Sequence, residues 1–371
     1  MDEEPVRGDD SAEGVTVIAG YPWFGDWGRD TMIALPGLTL VTGRHDEARR
    51  ILRTWAALVR DGLLPNHFPE AGVPAYHAID APLWFVHALG AYERATGETA
   101  LVRELRPAVD RITAAYADGT HFGIGVDPAD GLVRGGEPGL QLTWMDAKVD
   151  GVAITPRHGK PVEIQALWIE ACRLAAGWAT ADGDGDSARV HAARAERATT
   201  SFRVRFPIGD RPWLHDVADG QGGDDRSLRP NQLLALSLVP DLVGAERAAA
   251  VVDAVAVHLV VPGGVRTLAP FEPGFRARFQ GPPAVRDAAY HQGPAWTWLL
   301  GPWLDAVMRV RGEDAARVEL ARHLDALDPD ATGAVPELLE PEPPFASRGC
   351  PWQAWGVAEL LRCATVLSSV R

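Results

Sequence analysis

The sequence predicts an all-α protein with an (α/α)6 barrel, in which a ring of inner helices lies inside a ring of outer helices. Helical periodicity dominates the 371 residues, and the run at 15–20 is the best short β-like segment. Six segments are apolar almost all round, and five amphipathic segments alternate with them. A helix that is apolar on every side must be buried on every side. Strict alternation of the two kinds therefore indicates two concentric layers.

The elements follow one another along the chain without a long linker. The apolar segments, which predict the inner helices, are 31–42, 80–96, 161–179, 229–239, 290–310 and 350–368. The amphipathic segments, which predict the outer helices, are 44–61, 98–116, 186–205, 244–258 and 313–327. In the first of these, Ile51, Trp55 and Val59 recur at the spacing of one helical face.

The helix count is eleven rather than the twelve of a complete barrel, which leaves one outer position empty before the first inner segment. We therefore expect an acidic, flexible N-terminus at 1–14 and a barrel at 15–371 that lacks its first outer helix. An apolar side should then lie uncovered between 31–42 and 350–368. Self-association or a partner chain would cover that side.

Charge and composition exclude several classes of protein. The net charge is −14, whereas nucleic acids and anionic membranes attract basic surfaces. The apolar runs are shorter than the roughly 20 residues of a spanning helix. Three cysteines make no disulfide framework, and the start MDEEPVRGDDSAEG has no secretory pattern, so we expect a cytoplasmic protein. Cofactor and metal motifs such as Walker A, HExxH or paired CxxC are missing, and we predict neither a cofactor nor a metal.

Polar and aromatic residues collect in the segments that lead into the inner helices. In a ring of parallel inner helices, these six segments meet at one end. Carboxylates and amides hydrogen-bond sugar hydroxyls, and Trp rings pack on the apolar faces of sugars. Two acids placed across a glycosidic bond can act as general acid and general base. The pattern therefore predicts a carbohydrate site at that end.

The candidate substrate-binding residues come from five of these segments. They are Asp26, Trp27, Arg29, Asp30, Asn66, Tyr76, Asp80, Trp144, Lys148, Glu163, Asn231, Gln232, Tyr290, His291, Gln292 and Trp296. Lys148 and Lys160 are the only lysines, which suggests that a compact ammonium is needed there. Lys148 is expected either to face the site or to tether two loops.

Structural roles are an alternative for several of these residues. Asp is a favoured helix N-cap, so Asp26, Asp80 and Asp146 could each cap a helix. Buried Trp on a helix face is usually part of the core, and we expect this of Trp168, Trp178 and Trp303.

Several sequence runs are also similar to a known family. The runs are GYPWFGDWGRDTMIALPGLTL, WMDAKV, TPRHGKPVE, RPNQ, RDAAYHQG and RGCPWQAW, and they occur in the family's order. Together they resemble the amylo-α-1,6-glucosidase domain of archaeal-type and bacterial glycogen debranching enzymes, glycoside hydrolase family 133. The resemblance covers the chain from about residue 15 onward. It implies an (α/α)6 barrel without a cofactor and inverting hydrolysis of α-1,6-glucosidic branch points in glycogen or limit dextrin, with release of glucose.

The resemblance also implies roles for single residues. The Asp of WMDAKV, Asp146, matches the family's general acid, and Glu337, thirteen residues before Cys350, matches its general base. Pro336 stands where the family usually has Ser, and Glu340 lies close by, so the base is open between Glu337 and Glu340. By the same resemblance, positions 27, 29 and 30 would line the pocket for the terminal glucose.

Three functions stay open at this point. Family members normally carry a β-rich N-terminal glucan-binding domain, which these 371 residues lack. The first function is the branch-point glucosidase. The second is another enzyme on the same barrel, either a glucoamylase-like or trehalase-like hydrolase or a disaccharide phosphorylase. The third is a truncated, inactive glycan-binding remnant.

Overall fold

A computed structural model of the protein describes residues 14–67, 74–327 and 333–369. The N-terminus expected at 1–14 lies outside these residues, apart from Gly14. Helices account for 51% of the structure, so the predicted mostly helical fold is confirmed. Within the described residues, no helix is both long enough and apolar enough to cross a membrane.

Twelve α-helices and fifteen short strands lie within the described ranges. The helices are α1 (Gly28–Leu35), α2 (His45–Ala57), α3 (Ala81–Thr96), α4 (Thr99–Asp118), α5 (Val162–Ala181), α6 (Gly185–Arg205), α7 (Gln232–Ser237), α8 (Ala245–His258), α9 (Pro283–Ala289), α10 (Leu300–Arg311), α11 (Glu313–Leu327) and α12 (Ala354–Ser369). The strands are β1 (Ile18–Tyr21), β2 (Phe24–Asp26), β3 (Gly125–Val126), β4 (Val133–Arg134), β5 (Lys148–Val149), β6 (Val152–Ala153), β7 (Lys160–Pro161), β8 (Val217–Gly220), β9 (Gly223–Asp225), β10 (Val260–Val261), β11 (Gly264–Arg266), β12 (Ala295–Trp296), β13 (Leu338–Leu339), β14 (Ser347–Arg348) and β15 (Trp352–Gln353).

The helices that arise from the six apolar segments contact one another in a closed cycle. Helix α1 contacts α3 and α12, α5 contacts α3 and α7, and α10 contacts α7 and α12. Helices α2, α4, α6, α8 and α11 arise from the amphipathic segments and pack on members of this cycle. The short helix α9 corresponds to no predicted element. Trp168, Trp178 and Trp303 are buried in the core, as predicted.

Helix boundaries differ from the prediction mainly where the chain approaches the end that carries the loops. The segment 290–310 becomes helical only at Leu300, because Ala295 and Trp296 form β12 between β11 and β13. The segment 229–239 forms a helix only over Gln232–Ser237. These apolar residues are buried as predicted, but their backbone hydrogen bonds go to strands and turns rather than to a helix.

The strands correct the expectation of an all-α chain. The largest sheet is antiparallel with the order β10–β11–β12–β13–β14, and it joins the loops before α10 and α12. A second sheet places β1 between β2 and β15. Most strands have only two or three residues, which is too short for an alternating pattern to show in the sequence.

The first and last helices of the cycle lie directly against each other. A π-helical turn, Pro36–Leu40, continues α1 and packs on α12. The absence of a side chain at Gly37 allows this, because a Cβ there would overlap the Ala358 backbone. Leu360 is buried and every residue of α1 is buried. The uncovered apolar side expected between these helices is therefore reduced to α12, where Leu361 and Val366 are the exposed large apolar residues.

Candidate active site

Two adjoining cavities lie where the loops before α1, α5, α10 and α12 meet. The outer cavity has a volume of about 900 Å³, and the inner cavity has a volume of about 80 Å³. The outer cavity is lined by Trp23, Phe24, Asp146, Ala147, Lys148, Phe279, Gln280, Gly281, Arg286, Asp287, Tyr290, Glu337, Ser347, Arg348 and Gly349. The inner cavity is lined by Ala19, Phe24, Trp27, Arg29, Asp30, Trp144, Asp146, Tyr290, Trp296, Glu337, Gln353 and Trp355.

Four residues line both cavities and so mark their junction: Phe24, Asp146, Tyr290 and Glu337. Asp146 and Glu337 are 191 positions apart in the chain, yet both carboxyls face this junction. Within the described part of the chain, no hydrogen bond joins the two carboxyls to each other.

Asp146 is held by a buried arginine that also binds a second aspartate. Arg29 donates from Nε and Nη2 to Asp80, at 2.7 and 2.9 Å, and from Nη1 to Asp146 Oδ2 at 3.2 Å. The Asp80 side chain is 1% exposed and that of Asp146 is 22% exposed. Of these two aspartates, only Asp146 lines the cavities. Burial raises the pKa of Asp146, and the Arg29 charge opposes that shift.

Glu337 is held by neutral donors. The Tyr290 hydroxyl donates to Oε1, and the Cys350 backbone N–H donates to Oε2 at 2.9 Å. Gly349 gives the carboxylate its space, because a Cβ there would overlap it, and its φ of +67° favours glycine. Burial raises the pKa of Glu337 to about 7, although both hydrogen bonds lower it.

Asp30 is a third carboxyl of the inner cavity. It lies in the first turn of α1, and burial raises its pKa to about 7 despite the neighbouring Arg29 charge. The charges of Asp146 and Glu337 contribute to this rise. Gln353 donates from Nε2 to Asp30 Oδ2 at 3.5 Å. Three acids thus share one desolvated pocket with one cation, which favours keeping a proton among them near neutral pH.

Glu340, the alternative base, lies behind the cavity wall. It lines neither cavity and accepts hydrogen bonds from the Phe279 N–H at 3.0 Å, Gln280 Nε2 at 2.9 Å and Arg348 Nε at 2.9 Å. Its carboxylate therefore supports the segment at 279–280, which forms part of the outer cavity wall. Of the two candidate glutamates, only Glu337 reaches the junction.

Aromatic rings form much of the wall around the junction. Trp144 contacts Trp296 edge to face, with centroids 5.4 Å apart, and Tyr290 stacks on Phe279 at 5.2 Å. The predicted His291 is fully buried and stacks on Trp296 at 5.1 Å, so it supports this wall from behind. Burial lowers the pKa of His291 well below its usual value, which keeps the ring neutral.

A second buried network holds the segment that carries Asp146. Trp144 donates from Nε1 to Asn231 Oδ1 at 2.8 Å, and Asn231 donates to Asp216 Oδ1 at 2.7 Å. Arg157 binds Asp216 through Nε at 2.7 Å and Glu163 through Nη2 at 2.7 Å. The predicted residues Asn231 and Glu163 therefore act on the cavity wall through other side chains.

The two lysines have different surroundings. Lys160 is buried and pairs with Asp127, Asp130 and Asp219 at 2.9, 2.7 and 2.7 Å, so it ties the turn between β3 and β4 to strand β8. Lys148 lines the outer cavity, and its ammonium has no hydrogen bond or ion pair with any residue that the structure describes. Lys148 is thus the lysine whose ammonium is available to a ligand.

Four of the six predicted loop clusters line the cavities, namely those before α1, α5, α10 and α12. The predicted residues that line neither cavity are Asp26, Asn66, Tyr76, Asp80, Glu163, Asn231, Gln232, His291 and Gln292. Tyr76 donates to the Leu58 carbonyl at 3.1 Å, Gln232 donates to the Arg229 carbonyl at 2.9 Å, and Arg229 donates to Gln292 at 2.7 Å. Asp80, at the N-cap position of α3, makes no capping hydrogen bond.

Sequence reasoning missed much of the outer cavity. The residues not anticipated there include Trp23, Phe279, Gln280, Arg286, Asp287 and Arg348. The Trp-rich run around Trp23 and the run RDAAYHQG at 286–293 could have indicated part of it, but the segment at 275–285 has no pattern that indicates a site. Among the described residues, no group of three or more His, Cys, Asp or Glu side chains could hold a metal ion.

Comparison with known proteins agrees with the earlier resemblance. A family model described as amylo-alpha-1,6-glucosidase matches residues 4–362. The chain is also 27% identical over 383 aligned residues to the glycogen debranching enzyme of Saccharomyces cerevisiae (strain ATCC 204508 / S288c). That alignment covers 78% of this chain and 25% of the yeast protein, so the chain spans about a quarter of the length of this relative. The chain belongs to the amylo-α-1,6-glucosidase family, a family of glycoside hydrolases.

Proposed function

We propose that the chain hydrolyses α-1,6-glucosidic branch points of a branched α-glucan, such as glycogen or limit dextrin, and releases glucose with inversion. The observation that carries the proposal is the position of Asp146 and Glu337 at the junction of a small inner and a large outer cavity. The inner cavity would hold the terminal glucosyl unit and the outer cavity the rest of the glucan. The bond between the two parts would then lie beside both carboxyls.

The (α/α)6 barrel that we infer for this chain would explain why Asp146 and Glu337 meet at one cavity. The closed cycle of contacts among α1, α3, α5, α7, α10 and α12 supports an inner ring, with the amphipathic helices outside it. In such a ring the loops that precede the inner helices share one end. Residues from distant parts of the sequence can then meet at one cavity.

In the proposed mechanism Asp146 is the general acid and Glu337 the general base. Asp146 protonates the leaving glycosidic oxygen, while Glu337 takes a proton from a water molecule that attacks the anomeric carbon from the opposite face. Inverting enzymes place these carboxyls roughly 6.5–9.5 Å apart, which leaves space for the water. The absence of a direct hydrogen bond between Asp146 and Glu337 in the described residues is in keeping with this arrangement.

The surroundings of each carboxyl suit these roles. Both hydrogen-bond partners of Glu337 are donors, which favours the carboxylate form that a base needs. Its pKa of about 7 makes it a stronger base than an ordinary glutamate. Burial raises the pKa of Asp146, which favours the protonated form that an acid needs.

A disaccharide phosphorylase is the second candidate, because three cations line the outer cavity: Lys148, Arg286 and Arg348. These could attract a phosphate. Arg348 is already bound to Glu340, however, and Arg286 lies 3.5 Å from Asp287. A phosphorylase would have a phosphate pocket where a hydrolase has its general base. The presence of Glu337 therefore favours hydrolysis.

The test is product analysis with a phosphorylase limit dextrin, panose and maltose as substrates. The expected result is glucose released from the branched dextrin, with the β-anomer appearing first in a proton NMR time course. α-Anomer as the first product would overturn the inverting mechanism. Phosphate-dependent formation of glucose 1-phosphate would favour the phosphorylase, and preferred cleavage of maltose would favour a glucoamylase-like enzyme. If none of the substrates yields a product, the inactive glycan-binding remnant would be the remaining candidate.

A further inference from the structure

Exposed aromatic side chains lie at the edge of the outer cavity. Trp23 is 64% exposed and lines that cavity, while Tyr21 and Trp352 are 62% and 48% exposed beside it. Tyr21 and Trp352 are partners across β1 and β15, with ring centroids 6.1 Å apart and planes tilted by 55°. We call Tyr21, Trp23 and Trp352 the aromatic rim.

The aromatic rim is fixed to the candidate site by buried contacts. The Cys350 thiol donates to the Tyr21 carbonyl at 3.0 Å, and the N–H of the same residue donates to Glu337. Gln353, which follows Trp352, donates to Asp30 in the inner cavity. The segment 350–353, which hydrogen-bonds Glu337 and Asp30, therefore also carries Trp352 and pairs with the strand that ends at Tyr21.

The cross-strand contact between Tyr21 and Trp352 gives these exposed rings only a small stabilising role. Large apolar side chains left in water contribute little to stability, and grouped exposed ones usually mark a binding surface. Tyr and Trp offer flat apolar faces with a polar edge, which suits the alternating apolar faces and hydroxyls of a sugar. Trp23 lines the outer cavity and lies between β1 and β2, two residues after Tyr21, so we expect a ligand longer than the outer cavity to reach the other two rings.

We infer that the aromatic rim is a further α-glucan-binding site, which holds glucosyl units beyond those in the outer cavity. This inference rests on the proposed function, since the occupant is the same glucan whose branch point lies at the carboxyls. The aromatic rim then favours long, branched substrates over short ones.

The test compares a Tyr21→Ser/Trp352→Ser double variant with the unsubstituted chain and with Phe271→Ser. Phe271 is also an exposed aromatic residue but lines neither cavity, which makes it the matched control. One readout is retardation in native gels that contain glycogen. The other is the ratio of kcat/KM for limit dextrin to that for a short branched oligosaccharide. Melting temperatures establish that all variants are folded.

The double variant is expected to lose glycogen retardation, and its ratio should fall by on the order of tenfold, while Phe271→Ser changes neither. Unchanged retardation together with an unchanged ratio would overturn the inference. The inference would also be overturned if the only difference were in sedimentation, with the unsubstituted chain a dimer and the double variant a monomer. The rings would then serve self-association. If no substrate yields glucose but retardation still requires Tyr21 and Trp352, the proposed function fails and the inference stands.

Discussion

The two carboxyls at the junction of the cavities are held by different chemistry. Asp146 accepts a hydrogen bond from Arg29, whose charge is shared with the buried Asp80. Glu337 accepts only from neutral donors among the described residues, the Tyr290 hydroxyl and the Cys350 N–H. Burial raises the pKa of both carboxyls, but it is opposed mainly by the Arg29 charge at Asp146 and by two neutral hydrogen bonds at Glu337. Substitutions that change a charge and those that remove a hydroxyl should affect the two groups separately.

The largest expected effect is on kcat when either carboxyl is substituted, and it distinguishes the general acid from the general base. Glu337→Gln should lower kcat by about 10²- to 10⁴-fold on every substrate, because water loses its general base. Asp146→Asn should lose a similar factor on glucans but much less on α-glucosyl fluoride, whose leaving group needs no proton. Fluoride release measured with an ion electrode, beside glucose release from limit dextrin, tests both. The opposite pattern would reverse the two roles.

Glu340→Gln is the matched control for the base. Gln keeps an oxygen that can accept from Phe279 or Gln280, and the side chain lines neither cavity. Its kcat on limit dextrin should stay far above that of Glu337→Gln. A loss as large as that of Glu337→Gln would reopen the choice between the two glutamates.

Asp80→Asn should affect the acid through its charge balance. The Asp80 charge raises the pKa of Asp146, so its removal lowers that pKa. A general acid works while protonated, so the alkaline limb of the kcat/KM profile should move to lower pH. Breaking one side of a buried ion pair should also reduce the free energy of unfolding by about 3–5 kcal/mol. Urea denaturation measures that loss, and an unmoved alkaline limb would contradict the charge balance.

Tyr290→Phe should affect the base instead. The Tyr290 hydroxyl lowers the pKa of Glu337, so without it that pKa rises above about 7. A general base works while ionised, so the acid limb of the kcat/KM profile should move to higher pH. The alkaline limb should stay closer to its original position, because Tyr290 does not hydrogen-bond Asp146. If only the alkaline limb moved, Glu337 would not be the group titrating on the acid side.

The smallest expected effect comes from the two lysines. Lys148→Arg should raise KM several-fold with little change in melting temperature, because its ammonium faces the outer cavity without a protein partner among the described residues. Lys160→Arg should lower the melting temperature instead, because three aspartates surround a compact ammonium. Equal KM values for Lys148→Arg and the unsubstituted chain would remove Lys148 from substrate binding.

Most of the long helices could be predicted because their pattern is long and local. Segments such as 98–116 repeat one face over several turns, and the structure has α4 there. The two-residue strands could not be predicted, since a strand such as β12 exists only through β11 and β13 on either side. Tertiary pairing rather than local preference decided the backbone at 295–296.

The candidate site could be predicted only as a set of loops. Residue type alone cannot distinguish a side chain that lines a cavity from one that supports it, as Arg29 and its partner Asp80 illustrate. The cavity-facing segment around Phe279 and Gln280 is held by Glu340, some sixty positions later in the sequence. No local pattern encodes such a contact.

The pairing of β1 with β15 has a consequence for synthesis of the protein. Gly20 pairs with Gln353, and Asp30 meets the side chain of that same glutamine. On the ribosome, helices and hairpins of neighbouring residues can form as they emerge, whereas pairing across such a separation must wait. The pocket around Asp30 and Glu337 is therefore completed only after Cys350 and Gln353 have left the exit tunnel. A nascent chain stalled before residue 350 would have most of its helices and an incomplete pocket.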